Sequence, residues 1–399
     1  MTAPSAAIRP RLLDTDAAVE EFFLGKPPGL FCGLDTEADS LYSYREKLCL
    51  IQVWVEGSCV LVDPLSVRDL APLHRFLRES ELWLHGADYD MTLWWRTYGY
   101  LPERIWDTQA AARLLGYGQL GLAAIVREVF GVELSKTSQK ANWGQRPLPE
   151  DMREYAATDV LYLAPLAAAL GERLRQHGRW DWFVQNCESA RRDVMVRPGK
   201  SDDDVWRIPG WGRLSPRGLA FLRALWHWRD GIAEKWDRPP FKVLGNDKLL
   251  EFSERLAEGQ PIEPSERFPE HLRRRFRESV LEAAAIAGED LPRKRRGLRL
   301  EKAEDWESVF ESLRTRRDQI AEKSGLDPAI LASRAALERY ACSHERDEAL
   351  QRELFLPWQR GLLFGVEGDR YAGPGTVSSF STGEAASGSA GNLPRAAGA

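Results

Sequence analysis

The chain has 399 residues, 43% of them apolar and 29% charged, and a formal net charge of −5. That length suggests two or three domains of an ordinary globular protein. No apolar stretch is long enough to span a bilayer, and MTAPSAAIRPRLLD lacks the apolar core of a signal peptide. Mild acidity excludes a whole-molecule electrostatic case for nucleic-acid binding, so any such case must come from local basic patches. Five scattered cysteines, Cys32, Cys49, Cys59, Cys187 and Cys342, form no CxxC pair. Their spacing argues against a zinc site or a disulfide framework and for a reducing cytoplasm.

In chain order, residues 30–63 read as strands. GLFCGLDTEADS begins apolar and ends in acids, and LCLIQVWV and SCVLVDPL, separated by Glu56 and Gly57, read as a hairpin. ELWLHGAD is a further short strand and DMTLWWRTYG a helix. DTQAAARLLG and GLAAIVREVFG read as two helices, each closed by glycine. LPEDMREYAATDVLYLAPLAAALGERLRQHG reads as one long helix starting near Pro149. Strands followed by helices predict a three-layer α/β domain over residues 1–190 and a linker over 191–211.

The remainder is helical and repeats itself. Arg229-Asp230-Gly231-Ile232-Ala233-Glu234-Lys235 recurs at Arg317-Asp318-Gln319-Ile320-Ala321-Glu322-Lys323. Leu225 and Leu313 precede the copies, and Pro240 and Pro328 follow them at the same spacing. These matches predict two helical modules of one kind, 212–292 and 300–366, joined by a basic linker at 293–299. Residues 367–399 are rich in Gly, Ser and Ala and are expected to be disordered.

Four acids carry the chemistry. Asp35 and Glu37 lie two apart at a strand end, so alternation turns both to one face. An acid pair after the apolar run 30–34 is costly unless solvated or neutralised by cations. Asp90 follows another short strand at the start of a helix. Asp159 stands four residues, one helical turn, after Tyr155, so phenol and carboxylate share a face. Converging, the four carboxylates would hold two divalent cations with oxygen ligands. Two such ions about 3.5–4 Å apart activate a water and stabilise the oxygen leaving a phosphodiester, with Tyr155 placed to orient that water. Singly, each residue has a plainer role: a strand-end acid, a helix N-terminal acid at Asp90, a half-buried packing tyrosine.

Asp35-x-Glu37, Asp90 and Tyr155-x-x-x-Asp159 resemble the three motifs of the DEDD superfamily of 3′→5′ exonucleases. PPFKVLGNDKLLEF, residues 239–252, resembles an HRDC module. The combination is similar to the ribonuclease D family over nearly the whole chain, the second helical module being the more divergent. The resemblance implies an RNase-H-like α/β exonuclease domain, with a mixed sheet flanked by helices, followed by two all-α HRDC-type modules. It implies metal ligation by Asp35, Glu37, Asp90 and Asp159, and Tyr155 as the water-orienting residue. The sister branch has a histidine five residues before its last aspartate; here that position is Glu154, which places the chain in the tyrosine branch. Two divalent ions, Mg²⁺ or Mn²⁺, and release of 5′-nucleotides from the 3′ ends of tRNA precursors and other small structured RNAs complete the expectation. The location expected is cytoplasmic, with no membrane and no obligate protein partner. The alternatives are a DNA-directed exonuclease of Werner type and a non-catalytic RNA-binding subunit. Many relatives carry a large aromatic after Glu37, where this chain has Ala38-Asp39-Ser40; Asp39 reads as a solvated turn residue.

RNA-contacting candidates lie in two places. KTSQKANWGQRPL offers Lys136, Lys140, Trp143 and Arg146 in a loop before the catalytic helix, to grip phosphates and stack a base, or else to anchor the loop. HLRRRFRES offers Arg273 and Arg274, and the linker offers Arg293, Arg295 and Arg296. His85 reads as a satisfied hydrogen-bonding residue, and Trp94, Trp95, Trp226 and Trp228 as packing residues.

Overall fold

The computed structural model describes residues 9–134, 139–199, 201, 203–293 and 302–365. In its first part β1 (Arg11–Leu13) and α1 (Asp16–Phe23) lead into β2 (Phe31–Ala38), β3 (Leu48–Val55) and β4 (Ser58–Val62). Then come α2 (Ala71–Glu79), β5 (Glu81–Leu84), α3 (Asp88–Tyr98), β6 (Ile105–Asp107), α4 (Thr108–Leu114) and α5 (Leu122–Phe130). The part closes with α6 (Glu150–Leu161), α7 (Leu163–Gln176) and α8 (Trp180–Val196). The six strands form one mixed sheet in the order β1-β4-β3-β2-β5-β6. β2, β3 and β4 are antiparallel neighbours, while β1–β4, β2–β5 and β5–β6 pair in parallel.

β3 is central and covered on both faces, which is why its sequence is an almost unbroken apolar run. The β3–β4 turn is the expected two-residue hairpin. Glu56 and Gly57 both have positive φ, 49° and 76°, as the twist of a tight hairpin requires. β1 and β6 have three residues each, too few for alternation to reveal; parallel pairing to β4 and β5 defines them.

The long helix expected from Pro149 onward is two helices, broken at Tyr162. Pro165 has no N–H to offer the carbonyl of Leu161 and its ring crowds that carbonyl. The break lets α6 cover one sheet face, with Met152, Ala156, Ala157 and Val160 against Leu50 and Leu61. α1, α2 and α3 cover the other face, around Leu34, Ile51, Val53 and Leu73.

The helical remainder forms two groups: α9 (Pro216–Lys235), α10 (Pro240–Val243), α11 (Asn246–Ala257) and α12 (Glu270–Ala285), then α13 (Trp306–Ser324), α14 (Pro328–Leu331), α15 (Arg334–Cys342), α16 (Glu348–Leu354) and α17 (Pro357–Phe364). The repeated arginine does the same work in both. Arg229 donates to the carbonyl of Leu244, just past α10, and Arg317 donates to that of Ala332, just past α14. Each bond spans 15 residues. Trp228, 8% exposed, and Trp226 pack in the first group's core.

Both groups sit on the sheet domain. The loop after β2 reaches the first group: the Tyr44 hydroxyl donates to Asp230 (2.8 Å), its backbone N–H to Asp237 (3.1 Å), and Arg45 pairs with Glu234 (3.2 Å). In the second, Trp358 stacks on Trp182 of α8 at 4.7 Å and 15°, and its backbone N–H donates to the Gln185 side-chain oxygen. No helix among the described residues is long and apolar enough to cross a membrane.

Candidate active site

Alternation along β2 sets the site. Gly33 lies against Val160 and Leu163, so Asp35 and Glu37, two and four residues on, face α6. The opposite-facing Thr36 meets α3: its N–H (3.1 Å) and hydroxyl (2.5 Å) both donate to Asp90 Oδ1. The strand pairing shifts register between Glu37 and Ala38, an irregularity that ends the regular ladder beside the acids.

Asp35, Glu37 and Asp159 each bring a carboxylate oxygen within 4.8 Å of the others. Asp90, 6% exposed, lines the same cleft but stands outside that trio, with one oxygen engaged by Thr36. Tyr155 lines the cleft as well, on the same face of α6 as Asp159.

The charges are held against their preference. Burial, then the neighbouring charges of Asp90, Asp159 and Glu37, drives the Asp35 carboxyl well above its usual range. Burial and the charges of Asp159 and Asp90 push Glu37 up to about 9, and burial lifts Asp159 to about 7 and Asp90 to about 6. Burial and the surrounding carboxylates raise the Tyr155 phenol, so it stays a hydroxyl at neutral pH. Among the described residues no lysine or arginine pairs with these four acids. A cluster of half-buried carboxylates with converging oxygens and no basic partner among the described residues is a donor set suited to a hard divalent ion.

Two residues that sequence reasoning passed over shape the site. Gln52 lies opposite Asp35 on β3, fully buried, and donates to it at 3.4 Å. Its Oε1 has no partner. The signal was a lone amide inside the apolar run LCLIQVWV. Thr36, between the two motif acids, orients Asp90.

In the loop before α6, Trp143 and Arg146 take the second of the two roles expected of them, anchoring. Trp143 is 1% exposed and packs under α6 with Leu148 and Met152, which leaves no ring face for a base. Arg146 spends its guanidinium internally: on both oxygens of Asp63 (2.6 and 2.7 Å) and on the carbonyls of Cys49, Trp143 and Gln145. The loop is anchored by these two residues, because a tryptophan of that area gains more from the core than from solvent. Asp39 is likewise no solvated residue. It is 3% exposed and accepts from the Lys47 N–H (2.7 Å) and the Ser43 hydroxyl (2.5 Å), closing the loop after β2.

Lys140 is exposed, its carbonyl held by the Tyr42 hydroxyl. Arg273 and Arg274 are exposed to differing degrees but paired, with Glu270 at 2.5 Å and Glu278 at 3.6 Å. Arg293 is exposed. Lys136, Arg295, Arg296 and the tail 367–399 lie outside the described residues. His85 is satisfied on both ring nitrogens, by Thr108 and the carbonyl of Leu120, each at 2.9 Å.

Known proteins match most of this chain. The 3'-5' exonuclease family matches residues 13–175, and the HRDC domain family matches residues 218–259. Ribonuclease D of Gluconacetobacter diazotrophicus is 30% identical over 366 residues, covering 85% of this chain and 90% of its own. Ribonuclease D of Xanthomonas oryzae is 30% identical and covers 83% and 90%. Among solved structures, Escherichia coli RNase D, described as an exoribonuclease involved in structured RNA processing, superposes with a TM-score of 0.66 at 24% identity. It covers 90% of this chain and 100% of that one, which speaks to the fold.

Proposed function

The chain belongs to the ribonuclease D family and is a hydrolytic 3′→5′ exoribonuclease; from that premise we propose that it shortens the 3′ ends of tRNA precursors and other small structured RNAs, releasing 5′-nucleotides. The observation that carries the assignment of the site is the meeting of the Asp35, Glu37 and Asp159 oxygens within 4.8 Å, without a basic partner among the described residues. In this reading those three acids would hold a divalent cation, and Asp90 would complete the set for a second. Mg²⁺ and Mn²⁺ fit such an all-oxygen site. When bound, such ions supply Lewis-acid activation of a water and stabilise charge on the leaving oxygen.

The chain's own residues do the rest. Tyr155, protonated and one turn from Asp159, holds the attacking water in line with the terminal phosphodiester. Gln52 and Thr36 fix the carboxylates of Asp35 and Asp90. The cleft wall at the start of α5, formed by Gly121, Leu122 and Ala123, takes the terminal nucleoside. The helical modules, including the divergent second one, hold the body of the RNA. The DNA-directed alternative gains nothing from the kinship, and the non-catalytic alternative is at odds with an intact acid set.

The test is digestion of a 3′-extended tRNA transcript, with products sized on a gel. With Mg²⁺ or Mn²⁺ the extension should shorten from its 3′ end, and EDTA should stop it. Asp35→Asn and Asp159→Asn should each abolish trimming while RNA affinity in EDTA stays within about threefold, a change under about 0.7 kcal/mol. A variant that trims at the unmodified rate removes that acid from the mechanism. A matched DNA oligonucleotide should be the poorer substrate.

A further inference from the structure

The basic stretch 271–279 was expected to meet RNA through its outer arginines, yet those are neutralised: Arg273 and Arg277 pair with Glu270, and Arg274 with Glu278. The unpaired groups of this stretch, His271 and Arg275, line a cleft instead. A cleft of about 490 Å³ runs between α9 and α12, with His227, Gly231, Lys235 and Trp236 on one wall and His271 and Arg275 on the other. The side chains of Lys235, His271 and Arg275 have no hydrogen-bond or ion-pair partner among the described residues. One acid, Glu282, lines the cleft with them. Trp236 is 40% exposed and stacks on Phe268 at 6.3 Å and 16°, a rigid aromatic at the mouth. A Cβ added at Gly231 would meet nothing within 4 Å, so this small residue keeps the cleft open. The repeated heptad has Gln319 at the matching place in the second module. Next to Trp236, Asp237 accepts the backbone N–H of Tyr44 from the loop after the catalytic strand, so the cleft ends where the two domains join.

Unpaired cations on both walls of a concave surface with an exposed indole make a site for phosphates and a stacked base. We infer that the α9–α12 cleft of the first helical module binds a single-stranded segment of the RNA substrate, upstream of the 3′ end under attack. The inference rests on the exoribonuclease reading of the chain. It makes the two helical modules unequal: the first contacts RNA through this cleft, and the second, with glutamine in place of Gly231, does not use the equivalent surface.

The test uses the full chain and two probes. In EDTA, fluorescence anisotropy follows a 5′-fluorescein-labelled 20-nucleotide oligoadenylate; with Mg²⁺, turnover is measured on a labelled diadenylate that occupies the carboxylate cleft alone. Gly231→Gln fills the cleft without changing charge, at a helix position with room for the side chain. The double variant Lys235→Glu/Arg275→Glu reverses its charge, and Arg274→Glu serves as the surface control. Both cleft variants should lose about tenfold in oligoadenylate affinity, and the double variant should lower the log–log salt slope by about 1.4. The control should stay within about twofold, and diadenylate turnover should be unchanged in all three. Unmodified oligoadenylate affinity in both cleft variants overturns the inference. So does competition by an oligoglutamate peptide as effective as that by RNA, which would assign the cleft to an acidic protein segment. Failure of the unmodified chain to cut diadenylate would instead defeat the exonuclease reading, leaving the anisotropy result to stand by itself.

Discussion

Arg146 shows how much one side chain can carry. Its guanidinium binds Asp63 through both oxygens and three backbone carbonyls besides, tying the loop before α6 to the ends of β3 and β4. Burial pushes the Asp63 carboxyl up, but hydrogen bonds from Arg146 and Ser66 outweigh it and hold that carboxyl below its ordinary value. A depressed carboxyl contributes stability that is present above its unfolded pKa, about 3.9, and is lost as pH falls through the folded value. Arg146→Ala would strand Asp63, whose side chain is 3% exposed. The expected cost is about 3 kcal/mol, the low end for breaking a buried pair, because the Arg146 side chain is 25% exposed. Urea denaturation at pH 7 measures it, and the deficit should shrink toward pH 3. Arg146→Lys should recover little, since an ammonium lacks the planar fork. A variant as stable as the unmodified chain would mean that the loop is held by Trp143 alone.

At the scale of elements, β2 and α6 make the site, and their separation is set by a glycine. A Cβ at Gly33 would lie 3.2 Å from the Trp54 Cβ, 3.3 Å from the Leu163 Cβ and 3.4 Å from the Val160 carbonyl oxygen. None of these atoms is the free end of a flexible chain, so β2 and the α6–α7 junction would have to part. Gly33→Ala should therefore cost about 1–3 kcal/mol despite the usual preference for alanine over glycine in a strand. Asp159 stands one residue before Val160, so the same displacement should loosen its meeting with Asp35 and Glu37. Isothermal titration with Mn²⁺ should show weaker binding than in the unmodified chain at a temperature where both are folded. Equal Mn²⁺ affinity would show that the acids tolerate the shift. The break at Tyr162 belongs here too: one continuous helix could not both cover β3 and turn along β2.

At the scale of the molecule, the sheet domain carries a helical group at each of two places. The second is seated by Trp358, 6% exposed, whose ring stacks on Trp182 and whose backbone N–H donates to Gln185. Arg179 adds a bond to the carbonyl of Ser324 at 2.6 Å. Trp358→Ala should cost about 3–5 kcal/mol of docking and local stability. Hydrogen exchange should then accelerate across α13–α17 while β2, β3 and β4 keep their protection. Uniform acceleration would mean that the second group and the sheet domain unfold as one unit.

The sequence by itself determined the strands β2, β3 and β4, the hairpin at Glu56-Gly57, the spacing of the acids and the repeated heptad of the helical half. These features are local or periodic: alternation, a turn that demands positive φ, a one-turn spacing, a repeated heptad. The family resemblance came from the same short motifs. Only the tertiary structure decided which candidates are free to act. It paired Arg273, Arg274 and Arg146 with acids and carbonyls distant in the chain or a turn away, buried Trp143, and gave Asp39 a closing role. It also left Lys235, His271 and Arg275 unpaired around a cleft that no spacing announces. Charge and aromaticity are written in a residue's identity, whereas its availability depends on which other side chains arrive beside it when the chain closes.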